Sequence, residues 1–277
     1  MDSGKRNLIY LALFVNHDYV NLLELLLRSM KLYGAVDLDT TDILVLTDET
    51  LAPRIERLGR ELGFPLKFFF LTIGTKWEAS CARIEIFKYE EIADYDKILY
   101  IDTDIMINRP IGTIFDLEIR SDKLYAKAEG RLGSVWWGGQ FFNFPHRKML
   151  STWATTPFND WTTAFCAGIL FFRNSSEMKL LFGAIGDHIN DYIHVKKNPP
   201  PEFWDQPFIV YNSFVHNAYD NVVLHDHVVN CEHTIKDKFI IYHFPVGPGN
   251  YEAKMLAMTK FAEQQATYHT QHITQHK

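Results

Sequence analysis

Four short apolar runs punctuate the first hundred residues, Leu8 to Val15, Asp42 to Leu46, Lys67 to Leu71 and Lys97 to Ile101. The stretches between them have a different rhythm. Tyr19 to Tyr33 carries Leu22, Leu23, Leu26, Leu27 and Met30 at helical spacing before Gly34 stops it, Pro53 to Leu62 begins with a proline suited to a first turn, and Ala79 to Ile92 supplies a third helix. Runs this short, separated by helices, pair as strands of a mostly parallel sheet covered on both faces, so the fold class is α/β. Ligands of such sheets bind beyond the carboxyl ends of the strands. Asn16-His17-Asp18-Tyr19 and Asp102-Thr103-Asp104 both stand at such ends and are expected to line one crevice.

The second half is less regular. Ala164 to Phe172 reads as a strand, and Ser175 or Ser176 caps a helix carrying Met178, Leu181, Phe182, Ile185 and Ile189. Pro199-Pro200-Pro201 breaks the chain before Glu202-Phe203-Trp204-Asp205-Gln206, which opens an apolar stretch to Phe214. Strands near Asn221 to Leu224 and Lys238 to His243 and a helix from Tyr251 to about Gln265 complete the pattern. No linker divides it, so a single domain over residues 1–266 is expected, with 267–277, including His269, His272 and His276, as a frayed polar tail.

A hydrophobic share of 47% over 277 residues supports a real core and excludes disorder. The net charge of −6, with lysines and arginines scattered, excludes a surface built for nucleic acid, so a phosphate-bearing ligand would need a metal to supply positive charge. Cys81, Cys166 and Cys231 are odd in number, lack paired spacing and are read as small buried side chains in a reducing compartment. The run after Lys5 and Arg6 is too short for a signal peptide and lacks a cleavage site, and no segment reaches the roughly 18 apolar residues of a membrane span. The expectation is a cytoplasmic protein.

Asp102 and Asp104 carry the chemistry. Residues two apart in extended chain project to one side, roughly 6 to 7 Å apart, a spacing that suits two oxygen ligands on one divalent ion. A solvated strand-to-loop turn is the competing reading.

Four segments, in order, resemble glycosyltransferases of family 8, the group containing glycogenin and bacterial lipopolysaccharide galactosyltransferases, which have the GT-A (Rossmann-like) fold. Phe14-Val15-Asn16-His17-Asp18-Tyr19 resembles the first strand and uridine-binding loop; Ala82-Arg83-Ile84 with Tyr95 to Asp104 resembles the helix and metal-binding segment. Phe165-Cys166-Ala167-Gly168-Ile169 and Trp204-Asp205-Gln206 with Tyr242-His243-Phe244 resemble the later motifs, and the match spans residues 8 to 250. The resemblance implies a nucleotide-sugar-binding half over about 1–110 and an acceptor-side half over about 111–266. It implies that Asp102, Asp104 and His243 ligate Mn²⁺ (or Mg²⁺) on the diphosphate of a UDP-sugar donor, with Thr103 in the same segment. Val15, Asn16 and Tyr19 would hold base and ribose, Arg83 would approach the diphosphate or donor sugar, and Asp205 and Gln206 would bind sugar hydroxyls. Glu202 would stand near the reaction centre. The implied activity is transfer of a hexose to a carbohydrate or glycan acceptor with retention of anomeric configuration.

The chain departs from the family pattern at three places. Cys166 and Ala167 replace a frequent Asn-Ser, Phe203-Trp204 replace a small pair, and no lysine follows His243 where relatives present one to the diphosphate. Lys254 or the backbone amides of the glycine-containing turn in Phe244-Pro245-Val246-Gly247-Pro248-Gly249-Asn250 are the expected substitutes. Between Glu129 and Trp161, the aromatics Trp136, Trp137, Phe141, Phe142, Trp153 and Trp161 leave three readings open: an acceptor platform, a satellite core or a homodimer contact. Two other functional classes also stay open, a catalytically silent nucleotide-sugar or glycan-binding protein and an Asp-x-Asp phosphatase. The latter is disfavoured by Met106 two residues beyond the second aspartate.

Overall fold

A computed structural model describes residues 4–142, 159–245 and 250–275. Seven strands form one sheet: β1 (Arg6–Ala12), β2 (Thr41–Thr47), β3 (Leu66–Phe70), β4 (Tyr95–Ile101), β6 (Leu124–Arg131), β7 (Thr163–Arg173) and β8 (Tyr219–Asp220). Their hydrogen-bonded order is β3-β2-β1-β4-β7-β6-β8. Three short strands, β5 (Ile105–Ile107), β9 (Val228–Asn230) and β10 (Ile241–His243), make a second sheet in the order β5-β10-β9. The helices are α1 (Tyr19–Ser29), α2 (Ala52–Leu62), α3 (Lys76–Cys81), α4 (Gly112–Phe115), α5 (Ser176–Asn190), α6 (Gln206–Val215) and α7 (Tyr251–Gln275). The α/β class and the mostly parallel sheet flanked by helices are as the alternating pattern requires.

The chain divides into two compact units whose stretches interleave in sequence. One comprises Met1–Leu8, Ile73–Tyr100 and Glu118–His225; the other comprises Ile9–Thr72, Ile101–Leu117 and Asp226–Lys277.

In the second of these units, α1 buries Leu22, Leu23, Leu26 and Leu27 completely, each contributing on the order of 1.5–3 kcal/mol. Leu22 joins Met106, Phe239, Tyr242, Phe244, Met258 and Phe261 in one core, so α1, β5, β10 and α7 share an apolar centre. Gly63 ends α2 with φ 82°, the left-handed conformation that a glycine adopts without a Cβ clash. The last helix does not stop near Gln265 but continues to Gln275. Gln265 is buried, donating to Ile107 O at 2.9 Å and Asn108 Oδ1 at 3.2 Å, and His269 stacks on Tyr33 with ring centroids 4.3 Å apart. Tertiary packing thus extends a helix past the point where polar composition alone ends it.

In the first unit, Ala164 to Phe172 of β7 is buried at every residue, as the unbroken apolar run predicts for an interior strand. Ser175, not Ser176, caps α5, its Oγ accepting from Met178 N at 3.1 Å. The helix expected over Ala79 to Ile92 is three pieces. A capping box of Thr75 and Glu78 starts α3 early, and tight 3₁₀ turns over Ala82–Lys88 and Glu90–Asp94 follow. The strand expected at Asn221 to Leu224 is replaced by a turn, because Asp220 Oδ1 accepts from Val222 N at 2.8 Å and Val223 N at 3.0 Å. Of the cysteines only Cys166 is buried; Cys81 is intermediate and Cys231 exposed, and all three are free. Among the described residues no helix is long and apolar enough to cross a membrane.

Candidate functional site

Strand register builds the carboxylate cluster. Asp102 and Asp104 follow β4, and Asp104 leads directly into β5. In the small sheet His243 pairs with Ile105 across the antiparallel β10–β5 ladder and with Asn230 across the parallel β10–β9 ladder. Phe244 N donates to Asp104 O at 2.9 Å, closing the ladder beside the carboxylate. The imidazole is thereby held next to both aspartates although it lies far away in sequence. Its Nε2 stands 3.4 Å from Asp104 Oδ1 and 3.9 Å from Asp102 Oδ2.

Asn230 fixes the orientation of that ring. His243 Nδ1 lies 3.2 Å from Asn230 Oδ1, and an amide oxygen only accepts, so Nδ1 is the donor and Nε2 faces the carboxylates. A nitrogen facing two carboxylates calls for a cation there, a proton or a metal ion. The three ligand atoms lie within 4.8 Å of one another, a span that one divalent ion with bonds of about 2.0 to 2.6 Å bridges. Asp104 Oδ1 is buried and receives no hydrogen bond among the described residues, as suits an oxygen reserved for a metal. The mixed O/N donor set therefore fits the expected Mn²⁺ or Mg²⁺.

Lys254, in the first turn of α7, places its ammonium on Asp104 Oδ2. Burial alone would raise the Asp104 carboxyl, but Lys254 and then His243 outweigh it and hold the group well below the ordinary carboxylate range. Burial would likewise lower the Lys254 ammonium, and Asp104 instead holds it above its usual value. Of the two expected substitutes for the missing lysine, Lys254 is thus in the cluster, and residues 246–249 of the glycine-containing turn lie outside the described residues.

The loop ahead of α1 approaches the same cluster. Burial raises the Tyr19 phenol, with Lys254 opposing and Asp104 and Asp102 adding to the shift, which places the hydroxyl within electrostatic reach of all three. Asn16 Oδ1 accepts from Asp18 N at 3.0 Å in a local turn, and Val15, 40% exposed, has φ 63°. A β-branched residue is strained there. Arg54, which no motif announces, donates to His17 O at 2.8 Å and Asn21 Oδ1 at 2.7 Å, and Asn21 in turn donates to the Tyr251 hydroxyl at 2.8 Å. Thr103 is buried.

The other unit assembles Arg83, Asp205 and Gln206. Arg83 Nε and Asp205 Oδ2 are 2.8 Å apart, and Arg83 Nη2 donates to Asp205 Oδ1 at 3.2 Å, a two-point contact between buried groups. Arg83 Nη1 donates to Ala167 O at 2.6 Å, Nε reaches Ser80 O at 3.3 Å, and the guanidinium carbon lies 4.7 Å from the Tyr100 ring centre. The arginine expected to reach for a diphosphate is engaged on all sides by its own unit. Gln206 accepts from Ala167 N at 3.1 Å and donates to Trp136 O at 3.1 Å, tying β7 to the turn at Val135–Trp137. Trp204, directly before Asp205, has φ 52°, a second strained residue beside a site residue. Glu202 is exposed.

The aromatic segment divides. Phe141 and Phe142 are buried, packed on Phe208, Tyr211 and Phe214 as a satellite core. Trp136, tilted against Phe203 with ring centroids 4.8 Å apart, and Trp161, with Arg131 4.3 Å above its ring, stay exposed. Trp153 lies outside the described residues.

The sheet order is that of the GT-A fold, and comparison with known proteins agrees. Residues 76–182 match the family model described as glycosyl transferase family 8, and the fold of the chain is the GT-A fold. No curated protein sequence matches it. The solved structure of the galactosyltransferase LgtC, in complex with donor and acceptor sugar analogues, is similar with a TM-score of 0.59 at 14% identity, over 94% of this chain and 95% of that one. Mouse xyloside xylosyltransferase 1 gives 0.57 at 12% identity, over 88% and 98%. The bifunctional glycosyltransferase WbbM gives 0.56 at 18% identity over 93% of this chain, which spans 50% of WbbM's length. At these identities the structural likeness speaks for the fold alone.

Proposed function

We propose that the protein is a metal-dependent hexosyltransferase that uses a UDP-sugar donor and a carbohydrate or glycan acceptor and retains anomeric configuration. The observation that supports this reading is the convergence of Asp102, Asp104 and His243, with Asp104 Oδ1 buried 3.4 Å from the imidazole Nε2. A bound Mn²⁺ or Mg²⁺ would neutralise charge on the departing nucleoside diphosphate. Asn230 holds the imidazole in the tautomer a metal ligand needs, and Lys254 offsets carboxylate charge when no donor is present. Val15, Asn16 and Tyr19 are assigned to the base and ribose, with the strained Val15 turning the loop amides and the Tyr19 ring providing stacking surface.

Asp205 and Gln206 are assigned to donor-sugar hydroxyls. Arg83, its donors taken by Asp205 and the carbonyls, serves by holding Asp205 in place. Exposed Glu202 is assigned to stabilising positive charge at the anomeric carbon. No protein group is required as a base if the acceptor attacks from the face the diphosphate leaves.

Incubation with UDP-glucose, UDP-galactose and UDP-N-acetylglucosamine, with Mn²⁺ or with a chelator, tests the proposal by UDP release and by NMR of the product anomer. Metal-dependent release with a retained anomer is expected. Binding of a nucleotide sugar without turnover would instead point to a silent module, and phosphate release from a phosphomonoester to a phosphatase.

A further inference from the structure

Asp104 offers its two oxygens to different partners. Oδ2 carries the Lys254 ammonium, while Oδ1 faces His243 Nε2 at 3.4 Å. Both side chains of the ion pair are largely buried, at 12% and 3% exposure, so water is poorly placed to take over for the ammonium. The helix that carries Lys254 is anchored beside it. Ala253 N donates to Asn250 Oδ1 at 3.1 Å and Lys254 N to Asn250 O at 3.2 Å. Further along α7, Gln265 is bonded to Ile107 O, in the strand that Asp104 opens, so the helix bearing the cation and the strand bearing the carboxylate are held as one piece.

We propose that Lys254 is a specificity-determining residue: it limits Asp104 to one available oxygen and thereby selects small octahedral divalent ions, Mn²⁺ or Mg²⁺, over Ca²⁺. The inference rests on reading Asp102, Asp104 and His243 as a metal site. Its chemistry follows from what the ions require. Mg²⁺ accepts six ligands at about 2.0–2.1 Å and is content with one oxygen from each carboxylate, whereas Ca²⁺ takes six to eight at about 2.3–2.6 Å and often fills its shell with both oxygens of one group. Asp104 can satisfy the second demand only by shedding Lys254 and stranding a buried ammonium. A monodentate ion leaves the pair intact. Ion-pairing on the second oxygen therefore acts from outside the ligand set, fixing how a ligand binds rather than adding one.

Calorimetric titration of the full chain with MnCl₂ and with CaCl₂, without donor, reads this directly. Lys254→Met is expected to lower the Mn²⁺-to-Ca²⁺ affinity ratio by on the order of tenfold or more. Lys254→Gln, which still presents a donor to Oδ2, should keep the ratio within about threefold of the parent while raising both affinities, because a like charge has gone. An unchanged ratio in Lys254→Met, or equal falls in both variants, overturns the proposal. If Lys254→Met does not fold, the parent protein decides: crystals soaked in CaCl₂ should show Asp104 binding through Oδ1 with Oδ2 still on Lys254, and a bidentate Asp104 overturns the inference. A parent protein that binds neither ion brings down the metal-site reading itself, and the selectivity inference with it.

Discussion

Each unit buries an acidic side chain against a long basic one, yet the two pairs are finished differently. Arg83 and Asp205 are balanced one for one, and the remaining guanidinium surface is met by Ser80 O, Ala167 O and the Tyr100 ring. In the other unit two carboxylates face one ammonium and one imidazole, and Asp102 keeps 29% of its side chain exposed. Balance closes a cluster and makes it a support; surplus negative charge beside a nitrogen leaves a place for a cation. Burial and charge are common to both, so neither alone identifies the chemical centre.

The contrast is open to attack by mutation. The largest expected effect is in the closed cluster: Asp205→Ala strands a buried guanidinium and should cost about 3–5 kcal/mol in denaturant unfolding, with Mn²⁺ affinity unchanged. In the surplus cluster the effects should be reversed. Asp104→Asn keeps the shape of the side chain and an amide oxygen for the Lys254 ammonium, so its stability loss should be smaller than that of Asp205→Ala, while metal affinity should fall by on the order of a hundredfold or more, measured by calorimetry. Asn230→Ala frees the His243 ring without removing a ligand, and a loss of about 10- to 100-fold in metal affinity is expected. Equal stability losses from Asp205→Ala and Asp104→Asn would erase the distinction between support and site.

The smallest effect is a labelling difference. Burial, and then Asp205, push the Cys81 thiol far above its ordinary value, whereas Cys231 is exposed. Alkylation in the native state should modify Cys231 quickly and Cys81 slowly, even at about pH 9, where an ordinary thiol is largely ionised. Because the folded value is raised, the native state keeps a proton there that the unfolded chain gives up. The stability linked to Cys81 is thus complete below the unfolded value and declines as pH rises through it. Asp205→Asn should speed Cys81 alkylation, and a rate matching Cys231 in the unsubstituted protein would show that the cluster is not closed.

The alternation of apolar runs and helical spacing was enough to read the sheet, because buried parallel strands leave an unbroken apolar signature, as β7 does. The aspartate pair was legible for the same local reason, standing where a strand ends. His243 was legible only through resemblance, since the contact depends on β10 pairing with β5. Asn230 was missed entirely. Its one signal is a polar side chain closing Val228-Val229-Asn230, and its meaning appears only when β9 is set beside β10. Arg83 was found but its partners were not, because a 3₁₀ turn replaces the expected α-helix and changes which side chains point inward. The left-handed backbone at Val15 and Trp204 was equally hidden, as valine and tryptophan are residue types that give no hint of it. The tail reading failed at His269 because the partner that orders it, Tyr33, lies on a distant stretch of chain.

Pulsed EPR of Mn²⁺ bound to protein labelled with ¹⁵N-histidine tests the central claim most directly. One Mn²⁺ per chain, coupled to a single histidine nitrogen that disappears in His243→Ala, is the predicted result. Mn²⁺ bound with no nitrogen coupling, or with coupling that survives His243→Ala, would contradict it.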